Sequence, residues 1–302
     1  MTSVTRACVI GLGSMGLGMA QSMIRNGLDV AGADLNAAAV QRLSESGGHG
    51  FASAVEAARG ADILVTVVVN AAQTDAVLFG DKGAAAVMAK GGVIISSATM
   101  SPDDARKLAA KAEALGLHYL DAPISGGAVK AAAGQLTIMA SGTADAFAAA
   151  RPALDAIAAT VYELGDKAGI GASFKMVNQL LAGVHIAAAC EAMTFAAKLG
   201  LDLPTVYKVI TASAGNSWMF ENRVPHILEG DYSPRSAVEI FTKDLGIVGD
   251  MGRAEKFPMP VAATALQMFL MTAAAGMAKD DDASVARMIA KMTGIELPES
   301  KA

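Results

Sequence analysis

Cys8-Val9-Ile10-Gly11-Leu12-Gly13-Ser14-Met15-Gly16-Leu17-Gly18-Met19-Ala20 is the stretch on which the fold of this 302-residue chain turns. Three apolar residues run straight into Gly11, and the residues after Gly16 read as a helix. A strand that feeds a GxGxxG turn and opens a helix is a dinucleotide-binding fingerprint. Gly11 permits the tight turn, Gly13 lets the backbone approach a pyrophosphate, and Gly16 lets the helix pack closely on the sheet. The helix N-terminus then offers free N–H groups and a partial positive charge to the anion. A dinucleotide is therefore expected to touch Gly11, Leu12, Gly13, Ser14, Met15 and Gly16.

The fingerprint also needs an acidic residue at the end of the second strand, roughly 20 residues on. Asp34 occupies that place, in Ala31-Gly32-Ala33-Asp34. A carboxylate there accepts from the ribose hydroxyls and repels a 2′-phosphate. Leu35 and Asn36 follow it rather than an arginine, which favours NAD over NADP. The bland alternative is a chance glycine turn with Asp34 starting the next loop, and it leaves the agreement of strand, turn, helix and acid unexplained.

Working outward, the first half of the chain alternates short apolar runs with helical segments. Strands are expected at Ala7 to Ile10, Asp29 to Asp34, Ala61 to Val69, Gly92 to Ser96, His118 to Asp121, Leu136 to Ser141 and Val161 to Glu163. Helices are expected from the glycine turn to about Asn26, and over Asn36 to Ser44, Pro102 to Leu115 and Ala144 to Ala159. Such alternation predicts a doubly wound α/β domain, a Rossmann-type parallel sheet with helices on both faces. After about Gly165 the pattern becomes all-helical. One long apolar helix runs over Gly171 to Leu199, followed by Pro204 to Ala214, Ala237 to Lys256, Pro260 to Met277 and Ala283 to Thr293. The expected division is a dinucleotide-binding domain over 1–167 and an all-helical substrate and dimerisation domain over 168–302.

Composition bounds the function. The chain is 53% hydrophobic and 18% charged, with a mean hydropathy of +0.41, which provides for a large core and points to apolar surface hidden between subunits. The longest apolar run, Leu180 to Leu201, carries His185, Glu191 and Lys198, too many ionisable groups for a typical membrane span. The net charge is -5 and the 24 Lys and Arg are scattered, so neither nucleic acid nor membrane is an expected partner. Cys8 and Cys190 lie in apolar segments without metal-ligand spacing. They read as reduced core residues, and no metal is expected. The first residues lack a basic segment followed by a continuous apolar stretch, so no signal peptide is expected and the cytoplasm is the expected compartment.

Three further segments carry candidate chemistry. Asp121-Ala122-Pro123-Ile124-Ser125-Gly126-Gly127 follows a strand at the carboxyl edge of the sheet, where ligands bind in this architecture. Its hydroxyl and unhindered N–H groups suit a carboxylate, although an ordinary turn would read the same way. In Ser173-Phe174-Lys175-Met176-Val177-Asn178-Gln179, Lys175 and Asn178 share a helix face among apolar neighbours. A lysine in a buried stretch is costly unless paired or used, and when partly desolvated it serves as a general acid/base. A solvated helix lysine is the plain alternative. Phe241-Thr242-Lys243-Asp244-Leu245 places Lys243 within reach of a ligand, with a surface ion pair as its plain alternative. His185, close to three turns after Lys175, is a reserve substrate contact.

Together these segments resemble the β-hydroxyacid dehydrogenase family, which includes 3-hydroxyisobutyrate dehydrogenase and tartronate semialdehyde reductase. The resemblance covers nearly the whole chain and the order of all four motifs. It implies an NAD-dependent oxidoreductase acting on a small hydroxy acid, and the apolar helices lead one to expect a homodimer or homotetramer. Lys175 falls on the family's catalytic lysine, Asn178 on its substrate-orienting asparagine, and Ser125, Gly126 and Gly127 on its substrate-carboxylate motif. Lys243 falls on the lysine that closes the cofactor site, and Thr99 on the Ser/Thr near the nicotinamide. The chain departs from the family at Val68-Val69, where a Leu-Pro pair is usual, followed by Asn70; these three residues are expected to border the nicotinamide. Val67 to Ala71 and Gly215 to Asn222 look most like the L-threonate dehydrogenase branch, whose reaction belongs to carbohydrate metabolism. Imine reductases of the same architecture generally replace the lysine, and the helical domain of 6-phosphogluconate dehydrogenase is much longer. A non-catalytic NAD-binding sensor would have no use for Lys175 and Asn178.

Overall fold

The computed structural model describes residues 4–300 of the protein. Strands β1 (Arg6–Ile10), β2 (Asp29–Ala33), β3 (His49–Phe51), β4 (Ile63–Thr66), β5 (Val93–Ser96) and β6 (His118–Asp121) form one parallel sheet in the order β3-β2-β1-β4-β5-β6. The order reverses direction at β1, and the glycine turn leaves the sheet at that switch point. Both faces are covered. Ala7, Val9, Ile63, Val65, Val93 and Ile95 pack into one apolar layer, and the alternate residues Cys8, Ile10, Leu64 and Ile94 into the other, as expected of strands whose side chains alternate faces.

Two expectations change within this region. The β-branched run Ala61 to Val69 is a strand only over Ile63–Thr66. Val67 N still donates to Ile10 O at 2.8 Å, after which the chain turns. Asn70 then caps the helix Ala71–Phe79, its side chain accepting from Gln73 N at 2.9 Å. The expected strand over Leu136 to Ser141 does not join the parallel sheet. It forms β8 (Leu136–Ala140) of a separate three-stranded sheet, flanked by the antiparallel β7 (Ile124–Ser125) and the parallel β9 (Ala158–Glu163). Pro123, without an N–H, stands between β6 and β7 and ends the run of ladder donors there.

Close packing divides the protein into two compact units, one ending at Lys175 and the other beginning at Met176. The helix Ile170–Lys198 contains that boundary. The second unit is helical, and its core gathers Ile186, Cys190, Met193, Val224, Phe241 and Phe269. It contains a helix the sequence pattern did not reveal, Trp218–Glu229, with Pro225 in its interior. Proline cannot donate to the carbonyl four residues back. That carbonyl, Glu221 O, accepts instead from the Tyr207 hydroxyl at 3.1 Å. By length and composition alone, Ile170–Lys198 and Pro260–Met277 are apolar enough to cross a membrane, and half of the apolar window of the first is buried within the protein.

Cys8 and Cys190 are both buried and free. Burial pushes the Cys8 thiol up to about 12 against the opposing charge of Arg6, and burial likewise raises Cys190.

Candidate active site

The glycine turn has the shape a dinucleotide requires. Gly11 adopts φ +94°, and a Cβ there would meet Val67 O at 2.6 Å. A Cβ on Gly16 would stand 1.8 Å from Gly11 O, so only glycine lets the helix Gly16–Arg25 begin this close to the turn. Above Gly13 nothing lies within 4 Å, which leaves a bare strip of backbone for a diphosphate. A cavity of about 480 Å3 borders this strip and is lined by Leu12, Gly13, Ser14, Asp34, Asn36 and Arg42 among others. These residues fit a bound dinucleotide.

Asp34 sits at the end of β2 as expected and also braces the turn. Its Oδ2 accepts from Leu12 N at 2.6 Å and its Oδ1 from Asn36 N at 2.8 Å. Each carboxylate oxygen keeps a further lone pair for a ribose hydroxyl. Arg42 was not anticipated. It lies eight residues beyond Asp34, one helix further along, and a scan of the residues directly after Asp34 could not reach it. Val68 is half-buried and packs against the second apolar layer. Val69 is largely exposed, with its N–H donating to Gln73 Oε1 at 2.9 Å. Thr99 is half-buried in the loop after β5.

The first unit also brings the carboxylate motif to Lys175. The lysine is 7% exposed, and its Nζ donates to Ile124 O at 2.8 Å. That bond holds the amine beside Ser125, which is half-buried, while Gly127 is open to solvent. The start of the helix bearing Lys175 is tied to β6 by Asp121, a residue quoted in the motif but given no role from sequence. Asp121 Oδ2 accepts from Gly169 N at 2.8 Å and from Ala172 N at 2.9 Å, and Ser141 Oγ accepts from Gly171 N at 2.9 Å. Burial pushes the Asp121 carboxyl above its ordinary range, opposed by these N–H donors.

Asn178 and Lys243 fall in the second unit, where hydrogen bonds join them. Asn178 Nδ2 donates to Gln179 Oε1 at 2.9 Å, and Gln179 Nε2 donates to Asp244 Oδ2 at 2.5 Å. Asp244 Oδ1 pairs with the Lys243 ammonium. Gln179 is 7% exposed and Asp244 1%. Their connection was invisible in sequence because 65 residues separate them. His185 is half-buried, and ten residues of helix leave it about 80° around the axis from Lys175, off the face it was expected to share. Among the described residues no group of three or more His, Cys, Asp or Glu side chains is placed to hold a metal ion.

The chain is similar to known dehydrogenases over nearly its whole length. Residues 6–165 match the NAD binding domain of 6-phosphogluconate dehydrogenase, and residues 169–289 match the NAD-binding of NADP-dependent 3-hydroxyisobutyrate dehydrogenase. An L-threonate dehydrogenase of Cupriavidus necator is 53% identical over 96% of this chain and 97% of its own length. An L-threonate dehydrogenase of Escherichia coli K12 is 48% identical over 97% of this chain and 96% of its own. The crystal structure of a 3-hydroxyisobutyrate dehydrogenase from Salmonella typhimurium has a TM-score of 0.91 at 51% identity, covering 94% of this chain and 99% of that one.

Proposed function

Because this chain belongs to the β-hydroxyacid dehydrogenase family and is a nicotinamide-dinucleotide-dependent dehydrogenase of small hydroxy acids, we propose that it oxidises L-threonate to its 2-oxo acid, with NAD as oxidant and Lys175 as general acid/base. The observation that carries this reading is the Lys175 amine, buried and hydrogen-bonded to Ile124 O one residue from Ser125. The substrate follows from the names of the relatives at 48 and 53% identity. The choice of NAD follows from Asp34, whose charge opposes a 2′-phosphate.

The residues divide the work as follows. The Ser125 hydroxyl and the N–H groups of Gly126 and Gly127 hold the substrate carboxylate. Lys175, as the neutral amine, takes the proton of the reacting hydroxyl while its carbon gives up hydride; in reverse the ammonium returns that proton. NAD, when bound, supplies the hydride acceptor. Gly11 to Gly16 hold its diphosphate and Asp34 its ribose. Val68, Val69, Asn70 and Thr99 are assigned to the nicotinamide end by the family resemblance, Lys243 to closing the cofactor site, and Asn178 to the substrate. We assign cofactor binding to residues 1–167 and substrate binding and dimerisation to 168–302. The exposed apolar row Phe174, Val177 and Leu181 supports a homodimer or homotetramer. We place the enzyme in the cytoplasm.

A second reading, 3-hydroxyisobutyrate oxidation, has the name of the Salmonella structure in its favour. The test follows nicotinamide absorbance with L-threonate, 3-hydroxyisobutyrate and glycerate, for the wild type and for Lys175→Ala. L-threonate is expected to be fastest, and the variant to lose on the order of 1000-fold in turnover while NADH still quenches its fluorescence. Near-normal turnover in the variant would end the general-base assignment. An inert L-threonate beside a fast 3-hydroxyisobutyrate would end the substrate assignment. NADH binding with no turnover of any hydroxy acid would leave a sensor.

A further inference from the structure

We infer that Gly18 and Arg25, on the helix that follows the glycine turn, are positioning residues for the substrate: they clamp the helix Gly127–Ala133 and so aim the Gly126 and Gly127 N–H groups at the substrate carboxylate. This rests on the proposed reading in one respect, that Ser125 to Gly127 hold that carboxylate.

The loop does not set its own shape. Gly126 and Gly127 follow one another at φ +140° and +77°, and adjacent glycines leave the backbone pliable. Ser125 is fixed from its own side, where it pairs with Thr137 of β8. Beyond the loop, Gly127 to Lys130 are exposed, so the hold lies further on. Ala131 is buried in the same apolar layer as Met19, Ala20 and Met23 of the helix Gly16–Arg25. A Cβ on Gly18 would stand 2.7 Å from Ala132 N and 2.9 Å from Ala132 Cα, so the two backbones touch at a point that only glycine allows. Gly134 closes on the same helix, for a Cβ there would come 2.6 Å from Ser22 Oγ, which itself donates to Ala156 O at 2.6 Å. The Arg25 guanidinium donates to Ala132 O, one of the carbonyls that the end of a helix leaves unpaired. Gly18, Ser22 and Arg25 are four and three residues apart and share one helix face.

The two helices are not equally anchored. Gly16–Arg25 buries Met19, Ala20 and Met23, whereas the seven-residue helix Gly127–Ala133 buries Ala131 alone. When their contact is crowded, the short helix is the partner that gives, and Gly126 and Gly127 move with it. Lys175 is held elsewhere: it donates to Ile124 O, and Ile124 pairs with Ile138 of β8. Disturbing the clamp therefore costs recognition of the carboxylate before it costs proton transfer. Gly18, Ala128 and Ala132 also line the cavity beside the glycine turn, so cofactor affinity has to be measured separately.

The experiment compares kcat/KM for L-threonate with that for L-threonamide, which keeps every hydroxyl and the planar carbonyl but lacks the negative charge. The wild type is expected to prefer the acid by on the order of 100-fold, as a site built around polar contacts rejects an analogue that cannot make them. Gly18→Ala should raise KM for L-threonate by about 10-fold or more and cut the acid-to-amide ratio by a similar factor. Its kcat, and its NADH affinity by fluorescence quenching, should stay near the wild type. Alanine is favoured over glycine inside a helix, so the substitution does not weaken the helix that carries it. Arg25→Met should cut the ratio to a smaller extent, and Arg25→Lys, which still donates to Ala132 O, should restore it. The arginine is exposed, so this pair carries the test if Gly18→Ala does not fold. A merely structural role would slow acid and amide alike; an unchanged ratio in both Gly18→Ala and Arg25→Met overturns the proposal, as does a loss confined to NADH affinity. Ser125→Ala reads the underlying assignment by itself. If it lowers the ratio while the clamp variants do not, only this inference fails. If the wild type does not prefer the acid, the carboxylate assignment fails and the clamp with it.

Discussion

Asp34 shows how much one side chain can be asked to do. It braces the glycine turn through Leu12 N and Asn36 N, and its charge faces the cavity that Arg42 also lines. Asp34→Ala removes the repulsion toward a 2′-phosphate and leaves Arg42 as the nearby cation. The expected outcome is a rise of about 10-fold or more in KM for NAD and a shift of the NADP-to-NAD ratio of kcat/KM in favour of NADP, equivalent to one lost charge-assisted bond of about 1.5–3 kcal/mol. Steady-state kinetics with both cofactors measures it, and an unchanged ratio would remove Asp34 from cofactor selection. The residues of this site that sequence disclosed are those whose partners lie close along the chain or whose role is stamped in backbone geometry: Gly11, Gly16, and Asp34 one crossover later. Arg42, Gln179 and Asp244 escaped because their meaning depends on neighbours that only the folded chain supplies.

At the scale of elements, the helix Ile170–Lys198 is held at its start by β6. Asp121 accepts from two of the first N–H groups of that region, groups no helix can satisfy internally. Asp121→Ala would leave them buried and unpaired, together with a void. The expected cost is about 2–4 kcal/mol of stability in urea unfolding, with a fall in kcat of about 10-fold or more because Lys175 loses its fixed approach to Ile124 O. Asp121→Asn, which keeps one acceptor, should recover part of both. Full stability and full activity in the alanine variant would deny Asp121 any role in placing the lysine. The elements most legible in sequence were those with strong periodicity, β1, β2, β5 and the long helix. The strand expected over Ala61 to Val69 was overextended because β-branched residues favour extended backbone wherever they fall, and the chain had to bend over Gly11 at Val67. Trp218–Glu229 stayed hidden because Pro225 reads as a stop, and the hydroxyl that accommodates it, on Tyr207, belongs to another helix.

For the molecule as a whole, the buried charges of the second unit tie stability to pH. His226 Nδ1 lies 2.8 Å from Asp281 Oδ1, and Arg223 forks onto Asp282 at 2.6 and 3.0 Å. Burial acts to raise Asp281, but hydrogen bonds from His226 and from the N–H groups of Ala283 and Arg235 outweigh it, and the carboxyl stands below its ordinary value. A carboxyl with a lowered folded-state pKa contributes stability above its unfolded pKa, roughly 4, and loses it as pH falls through the folded value. Asp282, pushed up to about 6 by burial against the pull of Arg223, has the opposite sign and favours the folded state as pH drops through that range. Asp281→Asn should therefore lower stability at pH 7 by about 2–4 kcal/mol and flatten the decline of the urea midpoint below about pH 4. An unchanged acid slope would assign that decline to other carboxylates.

Each compact unit contains a single cysteine, Cys8 in the first and Cys190 in the second, both buried with their thiols held protonated. The natural chain thus comes fitted with two probes of opening. A thiol-labelling reagent reaches either sulfur only when its surroundings come apart, because the thiolate is the reactive form and neither sulfur meets solvent in the native state. Pulsed labelling of the unmodified enzyme, read by mass spectrometry of the two peptides, reports how often each unit opens without introducing a dye or a mutation. Saturating NADH, which binds only the folded cofactor site, should slow labelling at Cys8; whether Cys190 slows with it measures how far the two units unfold as one.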